Sequence, residues 1–185
     1  IALFMGGIDF ENRLVKGDEF NRVQQTGHLD DGTSIPFHQL PCLIIDGVPI
    51  AQTAGIARFC GKLSGMYPKD DDLLAGRIDQ FLDFATDITE LIFSTSRDDD
   101  LIKKAKRETL ASDDLPRKLQ MLEKCINAES EWVVGPQLGL ADLAIWRMMG
   151  WLSSGIVDGI PATLLSAFPK IAAVCRAVDA HPQIQ

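Results

Sequence analysis

The stretch IPFHQLPCLIIDGVPIAQT, residues 35–53, decides the fold of the first part of the chain. At its centre, Cys42–Ile45 is a compact apolar run, and Asp46-Gly47 separates it from a second run at residues 48–50. An Asp-Gly pair between apolar runs is the strongest short-range signal for a β-hairpin. Pro49 has no backbone N–H, so the returning strand is expected at a sheet edge.

A helix is predicted directly after this hairpin. Apolar side chains recur there with the spacing of one helical face: Ile56, Phe59, Cys60 and Leu63. Thr53 precedes this face and is predicted to be the N-cap. The first backbone N–H groups of a helix have no partner within the helix, so they favour an anion.

The chain around Leu40 forms the second half of a candidate binding site. If the Leu40–Pro41 bond is cis, Leu40 presents its main-chain N–H and C=O to an extended peptide-like ligand. With a helix starting at Gln52-Thr53, this predicts a site for a small peptide that bears a carboxylate. An ordinary edge-strand proline and an ordinary helix cap explain the same residues without a ligand, and both interpretations stay open at this point.

The residues before the hairpin carry mixed signals. Residues 1–5 are predicted to end a helix that Gly6-Gly7 stops. Residues 8–15 alternate in part and predict a short strand. Residues 16–32 are polar and glycine-rich, so we expect a loop with at most one helical turn.

A domain boundary is predicted at the proline-containing and acidic linker 67–74. We expect an α/β domain over residues 1–66 and an all-helical domain over residues 75–185. The apolar faces that predict the helices are Ile78, Phe81, Ala85, Ile88 and Ile92; Leu101, Ile102 and Ala105; Leu115, Leu119, Leu122 and Ile126; residues 140–151; and residues 168–180.

Composition excludes several classes of protein. The 185 residues are 46% apolar and 24% charged, which is typical of a soluble globular protein, and no run of 18 apolar residues predicts a membrane span. A net charge of −8 argues against a nucleic-acid partner. Four cysteines without a C-x-x-C pair and three scattered histidines predict free thiols, no metal and a cytoplasmic location.

Several separated segments resemble the signature of the cytosolic glutathione transferases, nearest the sigma class, which includes glutathione-dependent prostaglandin D synthases. These segments are PFHQLP at 36–41, DG at 46–47, QTAGIARF at 52–59 and GLADLA at 139–144. Residues 1–11 resemble the family's first helix and second strand, and the two X-Pro pairs near the end resemble its last helix. The resemblance extends over nearly the whole chain.

The resemblance implies a thioredoxin-like domain followed by a helical domain, and a transferase that activates the thiol of glutathione, its co-substrate. The main chain of Leu40 would pair with the cysteinyl part of glutathione beside cis Pro41. Gln52 and Thr53 would hold the γ-glutamyl carboxylate, and Gln39 would lie near the glycyl end. A small apolar electrophile would then be attacked or isomerised.

The resemblance also implies a homodimer and assigns roles in the second domain. Asp87 would reach the γ-glutamyl amine bound by the partner subunit. The electrophile would lie between the domains, near Thr89 and Ile92. Gly139 replaces the usual Ser or Thr of a helix-capping motif, and we predict that Asp142 still turns back to the free N–H groups there.

The activating residue of sigma-like enzymes is absent from this sequence. In such enzymes a tyrosine at the end of the first strand donates a hydrogen bond to the glutathione sulfur, which favours the thiolate. The only tyrosine here is Tyr67, in the predicted linker. We therefore expect that Ile1 lies inside the first helix and that the first strand and a catalytic tyrosine precede it.

This sequence departs from the family signature at two further places, both near the expected binding site of the glycyl end of glutathione. His38 replaces a glycine and is expected to narrow the site. No tryptophan or lysine occurs where the glycyl carboxylate is expected to bind, so Phe20, Arg22 and His28 are the nearby candidates. The alternative function is a non-catalytic relative: a binding module, a structural protein of the lens-crystallin kind, or an interaction domain of a larger protein.

Overall fold

The computed structural model describes residues 1–127 and 129–184, and the chain divides into two compact units, Ile1–Tyr67 and Pro68–Gln185. The first unit is α/β and the second is helical, as the sequence predicts. Within the described part of the chain, no helix is both long and apolar enough to cross a membrane.

The first unit contains the predicted hairpin and three helices. Its elements are α1 (Ala2–Met5), α2 (Gly17–Thr26), β1 (Cys42–Ile45), β2 (Val48–Ala51) and α3 (Thr53–Ser64). The strands pair antiparallel, from Cys42 opposite Ala51 to Ile45 opposite Val48. Asp46 and Gly47 have φ angles of 50° and 80°, as the tight hairpin turn requires.

The region before the hairpin differs from the expectation. Residues 8–15 form no strand, because nothing among the described residues pairs with them; the segment also carries four polar or charged side chains. The predicted loop contains helix α2, which has acids in its first turn and ends at Gly27 with φ 71°. Only Val23 of this helix is buried, so the apolar periodicity is too weak to indicate it.

The second unit is built around a central helix. Its helices are α4 (Asp72–Phe93), α5 (Asp100–Ser112), α6 (Asp114–Cys125), α7 (Leu140–Leu152) and α8 (Pro169–Asp179). Helix α7 packs against α4 and α8. Four of its apolar side chains have no exposed surface: Ile145, Met148, Met149 and Leu152.

Helix α4 begins inside the linker predicted at 67–74. Asp71 is its N-cap, and the Oδ1 atom of Asp71 accepts a hydrogen bond from the N–H of Leu74 at 2.8 Å. The acidic run therefore starts a helix rather than interrupting one, because carboxylates stabilise a helix N-terminus. The predicted apolar face of α4 is buried: Ile78, Phe81, Ala85, Ile88 and Ile92.

Helix α5 is attached without burying a side chain. The guanidinium Nε of Arg107 donates to the hydroxyl of Thr95 at 2.9 Å, and Lys106 bonds to Asp98. Gly159, with φ 79°, approaches the helix so closely that a Cβ there would lie 2.7 Å from the carbonyl oxygen of Lys104. The loop therefore packs on the main chain of α5 at a position where a side chain would be strained and obstructed.

Candidate functional site

The end of the hairpin brings the two predicted halves of the site together. Cys42 pairs with Ala51 in the last rung of the ladder, so the next residues, Pro41 and Gln52, lie side by side. The Leu40–Pro41 peptide bond is cis. The main chain of Leu40 and the start of α3 therefore lie at the same end of the hairpin.

Helix α3 starts without a capping side chain. Gln52 is the N-cap and Thr53 is the first helical residue, so the prediction that Thr53 caps the helix is wrong. The backbone of Gln52 has φ 71° and ψ 120°, a conformation that L-residues rarely adopt. Such strain costs about 1–3 kcal/mol and concentrates at binding sites. The side chain of Gln52 makes no capping hydrogen bond, and among the described residues no side-chain oxygen accepts from the first N–H groups of α3, which leaves them available to an anion.

Apolar packing anchors the main chain of this site while its polar side chains stay exposed. Leu40 and Cys42 pack against a buried cluster of Val23, Leu29 and Ile35. Four neighbouring residues are exposed: Gln39, Pro41, Gln52 and Thr53. Burial raises the pKa of the Cys42 thiol above its ordinary value, so this thiol stays protonated and is a poor nucleophile.

A short 3₁₀ turn, Pro36–His38, leads into the site. Phe37 and His38 both have left-handed backbones, with φ angles of 60° and 54°. The exposed imidazole of His38 lies against Gly27, the residue that ends α2, where a Cβ would lie 2.6 Å from ring atoms Cδ2 and Nε2. The glycine at position 27 therefore permits this position of the ring.

Two of the polar candidates near the predicted glycyl end are already partnered. The Nε atom of Arg22 donates to Asp30 at 2.8 Å. The Nδ1 atom of His28 lies 2.8 Å from the carbonyl oxygen of Thr26. Phe20 is 37% exposed and offers only an apolar ring. The structure does not bring a free cationic group to this end from among these three.

The predicted residues of α4 have different environments. Asp87 is exposed, as a role toward a second subunit requires. Thr89 is half-buried, and its hydroxyl donates to the carbonyl oxygen of Ala85 at 2.8 Å. Ile92 is 1% exposed, because it lies on the same helical face as Ile88. Ile92 therefore contributes to the helical core rather than to an open pocket.

The start of α7 is closed by a buried carboxylate. The Oδ2 atom of Asp142 accepts from the N–H of Gly139 at 2.9 Å, as the sequence predicts, and Oδ1 accepts from Val133 N–H at 2.8 Å. Asp142 has no exposed surface, and this desolvation raises its pKa from 3.8 to about 6 although both backbone hydrogen bonds oppose the shift. The role of this residue is structural.

A second carboxylate of this kind escapes sequence analysis. Glu123 on α6 is buried, and its two oxygens accept from the N–H groups of Lys170 and Ile171 at 2.7 and 2.9 Å. These groups belong to the first turn of α8. Lys170 and Ile171 are 47 and 48 residues away from Glu123 in the sequence, so no short-range sequence pattern could predict these hydrogen bonds.

All four cysteines of the chain are free thiols: Cys42, Cys60, Cys125 and Cys175. Among the residues that the structure describes, no group of three or more His, Cys, Asp or Glu side chains is placed to hold a metal ion. The candidate site therefore consists of a helix start, an exposed main-chain edge and polar side chains.

Comparison with known proteins gives one family. Residues 83–185, more than half of the chain, match the family "Glutathione S-transferase, C-terminal domain". Human glutathione S-transferase A2 is 24% identical in an alignment that covers 99% of this chain and 78% of the relative. Ascaris suum glutathione S-transferase 1 is 29% identical in an alignment that covers 85% of this chain and 75% of the relative. The solved structure of prostaglandin synthase D of Nilaparvata lugens has the same two-part fold, with a TM-score of 0.81 at 21% identity over 99% and 85% of the two chains.

Proposed function

The chain belongs to the cytosolic glutathione transferase superfamily, and from that premise we propose that it binds glutathione at the hairpin end and activates its thiol. The thiolate attacks, or supports isomerisation of, a small apolar electrophile. The observation that carries the proposal is the uncapped start of α3 beside the cis Leu40–Pro41 bond.

Each part of glutathione has a counterpart in this arrangement. The main chain of Leu40 pairs with the cysteinyl residue, since an exposed N–H and C=O complete a short ladder with an extended peptide. Gln52 and Thr53 receive the γ-glutamyl carboxylate at the helix start, where the dipole and free N–H groups favour negative charge. Gln39 lies toward the glycyl end.

Thiol activation and the electrophile complete the proposal. The thiolate is favoured by a hydrogen-bond donor to the glutathione sulfur, the role that a tyrosine hydroxyl has in sigma-class enzymes. Tyr67 does not fit this role, because it is 8% exposed and its ring lies beneath the ammonium of Lys62. The electrophile lies against α4 near Thr89. Four free thiols support a reducing, cytoplasmic location.

A second copy of the chain supplies the last contact. Asp87 of the partner subunit pairs with the γ-glutamyl amine, because a carboxylate and an ammonium form a charge-assisted hydrogen bond. The dimer is supported by α5, which buries no side chain and leaves Leu101 and Ile102 85% and 50% exposed. Exposed apolar side chains on one helix favour an interface.

Calorimetric titration with glutathione tests the site. We expect saturable binding, and a loss of affinity of about 100-fold or more in the double variant Gln52→Ala, Thr53→Ala, because two hydrogen bonds to a charged group are removed. Asp87→Ala should weaken binding less. Gln120→Ala, an exposed glutamine on α6, is the control. Absence of heat at millimolar glutathione contradicts the proposal.

Conjugation of glutathione to a generic aryl halide tests the chemistry in the same variants. Activity that falls in parallel with glutathione affinity supports a transferase. Binding without conjugation instead identifies a non-catalytic relative. Conjugation that is unchanged in the double variant places the activity elsewhere in the molecule.

A further inference from the structure

Resting on the proposed function, we infer that His38 is the residue that selects for the glycyl carboxylate of glutathione. The imidazole donates a ring N–H to that carboxylate and so distinguishes glutathione from the shorter peptide γ-glutamylcysteine. His38 stands two residues before Leu40, whose main chain receives the cysteinyl part, so its side chain is within reach of the next residue of an extended ligand.

The position of the ring is set by the backbone. The N–H of Ile35 donates to the carbonyl oxygen of Gly27 at 2.7 Å, and the N–H of His38 donates to the carbonyl oxygen of Ile35 at 3.2 Å. These two bonds tie the turn to the end of α2. The ring then lies on Gly27, where a Cβ would come within 2.6 Å of it. The imidazole therefore packs on Gly27, although the residue stays exposed to solvent.

The Nε2 atom of His38 lies against Gly27, so Nδ1 is the ring nitrogen that remains for a ligand. Within the described part of the chain, no hydrogen bond or ion pair to this imidazole is found, and the residue is exposed. The nearby alternatives are occupied, because Arg22 binds Asp30 and His28 binds Thr26. His38 differs from both, since no hydrogen bond or ion pair to its ring is found among the described residues.

The left-handed backbone at His38 also supports a contact between this residue and the ligand. A φ of 54° is uncommon for a residue other than glycine, although His, Asn and Asp tolerate it better than most. A glycine here would be free of strain. A strained side chain kept next to a binding site is the pattern expected when that side chain contacts the ligand.

The test compares two ligands on three proteins by calorimetric titration. The ligands are glutathione and γ-glutamylcysteine, and the proteins are the full chain, His38→Gly and His38→Asn. Both substitutions suit the left-handed backbone, and thermal unfolding checks that each variant folds. We expect the full chain to bind glutathione at least about 10-fold more tightly than γ-glutamylcysteine, as one hydrogen bond to a charged group predicts. Both variants should bind the two ligands equally.

The control is His28→Asn, which changes an exposed imidazole in the neighbouring loop and should keep the preference for glutathione. If the full chain prefers glutathione and the His38 variants keep that preference, the inference about His38 is overturned while the proposed function stands. If the full chain binds neither ligand, the proposed function itself fails.

Discussion

Helices α3 and α7 differ in whether a carboxylate of the chain binds at their first residues. Each has backbone N–H groups in its first turn that find no partner within the helix. At α7 the buried carboxylate of Asp142 accepts from Gly139 and Val133. At α3 no side chain caps the helix, and the strained residue Gln52 is exposed. The carboxylate of Asp142 serves the fold by binding the N–H of the N-cap residue Gly139 and that of Val133, whereas the strained start of α3, where the described residues place no carboxylate, is suited to a carboxylate from outside.

The largest expected effect comes from removing the internal carboxylate. Asp142→Ala leaves the buried N–H of Val133 and the partly buried N–H of Gly139 unpaired, so the free energy of unfolding should fall by about 2–4 kcal/mol. Urea unfolding measures this change. Asp142→Asn keeps one acceptor and should lose less. If the free energy of unfolding of the alanine variant decreases by less than about 1 kcal/mol, water replaces the carboxylate at this helix start.

The same carboxylate predicts a pH dependence. The pKa of Asp142 is about 6 in the folded chain against an ordinary value of 3.8, so the folded state binds this proton more tightly. Its contribution to stability is fully present below about pH 4 and is lost as the pH rises through about 6. Relative to Asp142→Asn, the free energy of unfolding should fall by about 2 kcal/mol between pH 4 and 7. Parallel pH profiles of the two proteins would contradict this assignment.

The smallest effect on stability is expected at the open start. Gln52→Gly removes the strain of a left-handed backbone, so thermal unfolding should show a gain of about 1 kcal/mol after the entropy lost by glycine. Glutathione titration of the same variant should show weaker binding, because the amide side chain is gone. A variant that is destabilised instead would show that the strain at Gln52 does not arise from its side chain.

The sequence predicts the parts of the fold that depend on local pattern. The hairpin follows from Asp46-Gly47, and the face of α4 follows from its 3.6-residue period. Helix α2 is missed because the helix buries a single residue, Val23. Glu123 is missed because its partners are distant in sequence. Sequence patterns within one element thus predict helices and strands with one strongly apolar face. They do not predict an element or a contact that depends on residues distant in sequence.

The same distinction applies to the candidate site. The residues around Pro41 and Gln52 could be identified from a motif, since neighbours in a hairpin stay close in space. The sequence predicts the cap at Thr53 rather than at Gln52, because no sequence pattern indicates the strained backbone at Gln52. The sequence also does not predict that the His38 ring is without a hydrogen bond, because this depends on which neighbouring polar groups bind one another in the fold.

Gly159 has a consequence for how this protein can tolerate substitution. Helix α5 buries no side chain, so most of its surface positions can change with little effect on the fold. Gly159, by contrast, combines a φ of 79° with a close approach to the backbone of Lys104, so a side chain there would be both strained and obstructed. A deep mutational scan would therefore find position 159 intolerant beside a permissive helix, so that a position unable to vary lies outside the helix that it contacts.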